Sequence, residues 1–416
     1  MNKSIRTGWQ NTILGEVLTF QRGFDITKKQ LKPGKYDVIF SSGFGGKHNE
    51  YKVQAPGVVI GRKGTLGKVF FADSNFWATD TTLWVKDFHG NDEKFAYYFL
   101  HTMNLEQYDC GSANPTLNRN HIHSLPVSYP PIYIQKITAS ILSAYDDLIE
   151  NNTRRIKILE TMAQTLYQEW FVKFRFPGHK QVKMVESELG LIPEGWEVNN
   201  FNSLISHHIG GGWGKDKVDK KYSVPAYVVR GTDIPSARYI NTENCPLRFH
   251  TKSNFKSRKV EVGDLIFEVS GGSKGQPVGR TLLVSEALLD AFDEDLICAS
   301  FCKLIRLNQS IILPEIIYLL ILAMYDDGRI EKHQVQSTGI SNFKFKPFLE
   351  NEYVVIPPLQ IQEKFGNLVI PLFELLHNLG AKNANLRKTR DLLLIKLISG
   401  QIDVENLDID TGELAA

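Results

Sequence analysis

The chain has 416 residues, 42% hydrophobic and 23% charged, with 48 Lys and Arg against 46 Asp and Glu. That length supports two or three domains with real cores, and the net charge of +2 leaves any nucleic-acid binding to local patches. The start lacks an apolar leader and the longest apolar run, residues 311–324, is broken by Pro314 and Glu315, so no membrane span and a cytoplasmic location are expected.

In chain order, the first element is the phrase GWQNTILGEVL at 8–18, which returns as GWEVNNFNSLI at 195–205, an offset of 196 − 9 = 187 from Trp9 to Trp196. Next, PGVVIGRKGTLGKVFF at 56–71 reads as strand, Gly-rich turn and strand. Its cations Arg62, Lys63 and Lys68 stand where backbone N–H groups approach phosphates. It does not fit a nucleotide-binding loop, because Lys68 is followed by Val69 rather than Ser or Thr. The loop GSANPTLNRNHIH at 111–123 offers Asn114, Asn118, Arg119, Asn120 and His121 as groups able to bond base edges.

YPPIYIQK at 129–136 then opens a helix expected over 132–174. Its seam runs through Leu142, Tyr145, Ile149, Asn152, Ile156 and Leu159 in alternating three- and four-residue steps. Residues 175–194 read as a linker with Pro and Gly punctuation.

The second half repeats the frame. GWGKDKVDKKY at 212–222 is Lys-rich, and RFHTKSNFKSRK at 248–259 carries Arg248, Lys252 and Lys256 without an acid. VGDLIFEVSGGSKGQPVGRTLLV at 262–284 is a second strand-turn-strand with Lys274 and Arg280, and QSTGISNFKFK at 336–346 is the counterpart of the 111–123 loop. IPPLQIQE at 356–363 opens a second helix, with a seam through Leu376, Leu379, Asn383, Leu386, Arg390 and Leu393. The offset here is 357 − 130 = 227, so the halves share their ends and differ by 227 − 187 = 40 residues in between. Each basic turn also fits an ordinary hairpin with solvated charges, and each helix could pack on its own half.

Two seams in one chain more naturally face each other. The expected class is therefore α+β: two mixed α/β globules joined by a long antiparallel two-helix coiled coil, a pseudo-twofold internal repeat. The expected boundaries are a first globule at 1–131, a helix at 132–174, a linker at 175–194, a second globule at 195–357, a helix at 358–402 and a tail at 403–416. A seam from 142 to 170 spans roughly 42 Å at 1.5 Å per residue, comparable with the roughly 34–36 Å turn of B-DNA that twofold readers address. The prolines lack the leading amide and trailing aromatic of an amino-methyltransferase, and His101, His121 and His123 have no nucleophile pattern around them, so no catalytic residue is expected. The cysteines Cys110, Cys245, Cys298 and Cys302 lack paired spacing, so buried reduced thiols and no metal are expected.

With GW-x-x-x-x followed by an apolar residue (Leu14, Phe201) opening each half, PP-x-x-x-Q at each helix start, ETMAQTLYQEWFVKFRFPG closing the first helix and SELGLIPEGWEV opening the second half, the chain resembles the specificity subunit of type I restriction-modification systems over essentially its whole length. The resemblance implies a non-catalytic subunit in DNA methylation and defence. It implies two target recognition domains that each read part of a split, asymmetric double-stranded DNA sequence, and helices that set the spacer and dock two methyltransferase subunits. It also implies partners that use S-adenosylmethionine, restriction subunits that use ATP and Mg, and no cofactor bound by this chain. Arg390 in the second seam and the longer second middle depart from a simple repeat. Two alternatives are a single-chain DNA methyltransferase or nuclease with unrecognised motifs, and a coiled-coil protein scaffold.

Overall fold

The computed structural model describes residues 8–110, 115–272, 276–337, 339–405 and 407. It divides into two units, residues 1–148 with 386–416, and residues 149–385.

The first unit contains β1 (Gln10–Ile13), α1 (Leu14–Val17), β2 (Thr19–Arg22), β3 (Tyr36–Phe40), β4 (Gly43–His48), β5 (Gly57–Gly61), β6 (Val69–Ala72), β7 (Phe76–Ala78), β8 (Thr82–Asp87), α2 (Glu93–His101), α3 (Arg119–His123), β9 (Pro126–Tyr129) and the start of α4 (Ile132–Tyr167). β5 is buried along its whole length, which is why it reads as a continuous apolar run rather than an alternating one. It lies inside a sheet of order β2-β8-β5-β6, beside a second sheet β4-β3-β7 whose β3–β7 pair is parallel. β1 and β9 form an antiparallel ribbon that brings the ends of the unit together. Asp92 caps α2 by accepting from the Phe95 N–H at 2.7 Å, and the helix buries Phe95, Ala96, Phe99 and Leu100 against the first sheet.

The second unit contains β10 (Met184–Ser187), β11 (Gly190–Pro193), β12 (Glu197–Asn200), β13 (Ile205–Gly210), β14 (Val224–Val229), α5 (Ile234–Ala237), β15 (Leu247–His250), α6 (Lys252–Arg258), β16 (Leu265–Glu268), β17 (Ser270–Gly271), β18 (Thr281–Leu283), α7 (Glu286–Leu289), β19 (Leu296–Cys298), β20 (Cys302–Leu307), α8 (Pro314–Asp326), β21 (Gln334–Ser337), β22 (Ile340–Phe343), α9 (Phe345–Asn351), β23 (Tyr353–Ile356) and most of α10 (Leu359–Ile398). Its main sheet has the order β13-β20-β16-β18, its second sheet is β15-β14-β19 with β14–β19 parallel, and β12 pairs with β23. These three ladders repeat the strand orders of the first unit, and the second unit adds the sheets β17-β22-β21 and β10-β11. Much of the added length lies in connections: α5 between β14 and β15, where the first unit turns directly from β3 to β4, with α6 and α7 in later loops.

One glycine in each unit shows how close the match is. A Cβ on Gly23 would lie 2.1 Å from Thr79 O, and one on Gly211 would lie 2.1 Å from Ala299 O, so each must be glycine for the same backbone approach. The apolar run at 311–324 is α8, a helix buried on nearly all sides in the second core. Among the described residues no helix is long and apolar enough to cross a membrane.

Each repeated Pro-Pro phrase roots a long helix. Pro131 O accepts from Ile134 N and Gln135 N, and Pro358 O accepts from Ile361 N and Gln362 N, closing the first turns. The glutamine that follows is buried. Gln135 Nε2 donates to Pro130 O and Asn91 Oδ1, both at 2.8 Å, while its Oε1 accepts from Asp92 N at 2.9 Å. Gln362 Nε2 donates to Pro357 O and Ile311 O, and its Oε1 accepts from Leu313 N, all at 2.8 Å. Asp92 and Leu313 are the N-caps of α2 and α8, so one amide ties the start of the long helix to the start of a core helix.

Within each unit the long helices run antiparallel. In the second, Asn152 Nδ2 donates to Asn383 Oδ1 at 2.9 Å, Ile156 and Leu159 share a buried cluster with Leu376 and Leu379, and Trp170 meets Phe365. Asn383 Nδ2 also donates to Ile149 O and Thr153 Oγ1, both at 3.2 Å. The two seam asparagines thus satisfy each other, and a slipped register would strand both. In the first unit, Leu142 is buried in the globular core together with Leu397, and Leu393 packs at its margin. Arg390 Nη1 donates to Asp146 Oδ1, whose other oxygen accepts from Tyr98 OH, both at 2.5 Å. The charge that interrupts the second seam is therefore a partnered one. Ile149 and Leu386 are half-buried.

The first helix, expected to 174, is α-helical to Tyr167 and ends in a π-turn, Gln168–Val172. The expected linker is folded: β10 and β11 pair as a hairpin, and Phe176 and Ile192 are buried with Trp170, Phe171 and Trp196.

Two outcomes follow from these contacts. Gln135→Ala and Gln362→Ala each leave buried donors and acceptors unmet, at a cost of about 2–3 kcal/mol, and hydrogen exchange should speed up only in the unit that carries the change. For the seam, a double-mutant cycle between Asn152→Ala and Asn383→Ala, read by urea unfolding, should give a coupling of about 1 kcal/mol, with Asn383→Ala the more costly single change.

Candidate nucleic-acid interface

The Gly-rich turn of the first unit does not stand alone. Arg62 N and Lys63 N donate to Thr81 O at 2.9 and 3.0 Å, Leu117 N donates to Arg62 O at 2.8 Å, and Gly64 N donates to Pro115 O at 3.2 Å. Segments distant in sequence are thereby sewn into one edge by main-chain bonds. Lys63, Lys68, Asn118, Arg119, Asn120 and His121 are exposed on it. Lys63, Lys68 and Arg119 have no ion-pair partner among the described residues. Arg62 is half-buried, its Nη1 donating to Asp80 O at 3.3 Å. Asn118 caps α3, its Oδ1 accepting from Asn120 N at 2.9 Å, which commits that oxygen but not the amide nitrogen. His123 is structural: Nε2 accepts the Phe20 N–H at 2.9 Å, and burial together with Arg119 lowers its pKa, keeping the ring a neutral acceptor.

The second unit builds the same edge from different residues. Val269 N and Ser270 N donate to Phe301 O at 2.9 and 3.2 Å, Phe343 N donates to Val269 O at 2.8 Å, and β17 pairs with β22 as Lys63 pairs with Thr116. Arg62, Lys63, Thr81 and Leu117 thus correspond to Val269, Ser270, Phe301 and Phe343. Lys252 and Lys256 are exposed one turn apart on α6. Lys274 and Asn114 lie outside the described residues.

Two expected contacts are corrected. Arg280 points inward, donating Nε and Nη2 to Glu268 at 2.8 and 2.5 Å, and the Glu268 side chain is only 2% exposed. The paired carboxylate raises the pKa of this guanidinium, and a charge buried this deeply needs such a partner. Arg248 is buried too, donating Nε to Trp213 O at 3.1 Å and Nη1 to Asp216 Oδ1. Neither is available to phosphate. Nor are all four thiols buried. Cys245, Cys298 and Cys302 are, but Cys110 is exposed, with Sγ 2.9 Å from His121 Nδ1. Sequence reasoning passed over Phe301, which looks like one more apolar residue in a strand-rich stretch, and Thr81, which carries no charge signal.

Comparison with known proteins agrees with this architecture. Residues 6–161 match a family model described as type I restriction modification DNA specificity domain. The type I restriction enzyme MjaIX specificity subunit of Methanocaldococcus jannaschii is 28% identical over 335 residues, 76% of this chain and 70% of that one. The EcoprrI specificity subunit of Escherichia coli is 28% identical over 157 residues, covering 36% of this chain and 39% of its own. In fold, the crystal structure of a type I restriction-modification S subunit from M. genitalium superposes with a TM-score of 0.58 at 15% identity, covering 95% of this chain and 97% of that one. Family model, relatives and fold point one way: the chain is similar to the specificity subunits of type I restriction-modification systems.

Proposed function

We propose that this chain is the non-catalytic DNA-reading subunit of a cytoplasmic type I restriction-modification complex. It reads a bipartite, asymmetric double-stranded target, one part with each unit. The observation that carries the reading is the edge built twice: identical main-chain bonds hold Arg62, Lys63 and Thr81 in one unit and Val269, Ser270 and Phe301 in the other. A frame repeated with different side chains suits two half-sites of different sequence. Phosphate contacts from Lys63, Lys68, Arg119, Lys252 and Lys256 would supply affinity, while Asn118 and its neighbours would contact base edges.

The long helices carry the other half of the proposal. Their partnered seams make a fixed-length element suited to setting the spacer. Leu148, Ile158, Leu392 and Ile395, each more than half exposed, offer apolar surface for two methyltransferase subunits. Those subunits would bring S-adenosylmethionine, and restriction subunits would bring ATP and Mg.

The electrostatic part is tested on the assembled complex with its selected duplex. Lys63→Ala and Arg119→Ala should each lower the slope of log K against log salt by about 1. Arg280→Ala should instead destabilise the second unit by about 3–5 kcal/mol, with little change in slope for the folded fraction. Inserting one heptad into both helices should lengthen the preferred spacer by about three base pairs, from ~10.5 Å of helix at ~3.4 Å per pair. Methylation at the original spacing by the folded variant would defeat the ruler.

A further inference from the structure

The second unit carries two large aromatic side chains at its edge that its core does not use. Phe301, in the turn between β19 and β20, is 59% exposed, and Trp213, in the loop after β13, is 40% exposed. Both are firmly mounted. Beyond the two bonds to Phe301 O, Cys302 N donates to Ala299 O at 2.8 Å and closes the turn. Gly211 N and Gly212 N donate to Cys302 O and Cys298 O, each at 2.9 Å, so the loop carrying Trp213 lies beside the turn carrying Phe301. Lys215 and Phe249 exchange both main-chain bonds at 2.9 Å, and the Arg248 guanidinium lies 4.6 Å from the Trp213 ring centroid. The rings are thus presented at little further entropic cost on binding.

Their surroundings select the partner. The acids in this loop, Asp216 and Asp219, are neutralised by Arg248 and Lys215. Lys217, Lys220 and Lys221 are exposed without an ion-pair partner among the described residues, and Lys252 and Lys256 stand on α6, which packs against Gly212 through Asn254. Apolar rings within a field of unpaired cations suit a polyanion whose interior offers flat π-faces, which is a stack of bases.

We propose that Phe301 enters the base stack of its half-site as a wedge at one step, with Trp213 packed against the adjoining nucleotide. This unit then reads how easily its DNA deforms as well as its base edges. The inference rests on the DNA-reading role proposed above. At the corresponding place the first unit has Thr81, whose hydroxyl is held by Thr79 Oγ1 at 2.8 Å and Ser41 N at 3.3 Å, so its own half-site stays stacked.

The test uses the full-length chain in its complex and the selected duplex, with 2-aminopurine placed in turn at each position of both half-sites. The half-site of the second unit is the one whose contacts weaken in Lys252→Ala. The expected result is a fluorescence rise at one step of that half-site and none in the other. Phe301→Ala should abolish the rise and weaken binding about tenfold. Phe301→Leu should keep part of both, separating loss of the wedge from loss of fold, and Lys63→Ala should weaken binding but leave the rise. If the complex selects its split site and Phe301→Ala changes neither signal nor affinity, or if no position brightens, the wedge is refuted. If the wild type selects no split site, the DNA-reading proposal fails first and the wedge with it.

Discussion

The buried side chains of Gln135 and Gln362 each bond three partners at the root of a long helix. An amide can do this because it donates twice and accepts at the same time, a combination no apolar residue or carboxylate of that size offers. Its partners are the carbonyl of the first proline, a residue just before a core helix and the N-cap of that helix. The prolines stop the chain from entering helix earlier, and the glutamine fixes the direction in which the helix departs. Without that anchor the heptad seam would have a length but no defined origin relative to the globule it serves. The asparagine pair then sets the register farther along, where Asn152 and Asn383 satisfy each other.

How much of this was legible in the sequence depended on the kind of signal. The long helices announced themselves by period, and the two strand-turn-strand segments by glycine between β-branched runs, because both patterns come from local geometry. The kinship of the 111–123 and 336–346 loops came from their equal place in each frame, and Leu117 and Phe343 hold it by the same bond to the turn. Burial of individual cations was not legible. Arg280 and Arg248 stand in basic runs that look solvated, but their partners, Glu268 and Asp216, lie across turns at spacings no helix or strand repeats. A free cysteine is expected to be buried, but Cys110 sits exposed beside His121. The expected linker contains apolar residues that only the folded chain reveals as core.

The division of labour between backbone and side chain explains why the halves can differ so much in sequence and still share one strand order. At the edge, the bonds that recur in both units between turn and loop are made by main-chain N–H and C=O groups, so they tolerate Arg or Val, Lys or Ser, Thr or Phe at equivalent places. Where backbones approach most closely, as at the equivalent Gly23 and Gly211, the residue type is dictated. The frame therefore places almost no demand on the side chains that face outward.

That freedom bears directly on asymmetry. A homodimeric reader presents one edge twice and is limited to matched half-sites. In this chain the edges are covalently linked but chemically independent, so one can present unpaired cations and amides while the other presents a phenyl ring and an indole among lysines. The second unit takes up much of its additional length in loops bearing α5, α6 and α7 without disturbing a ladder. α6 adds Lys252 and Lys256 to its charged surface. Loop chemistry can thus change what the edge of each unit presents while the glutamine anchors and the paired asparagines hold the helices unchanged.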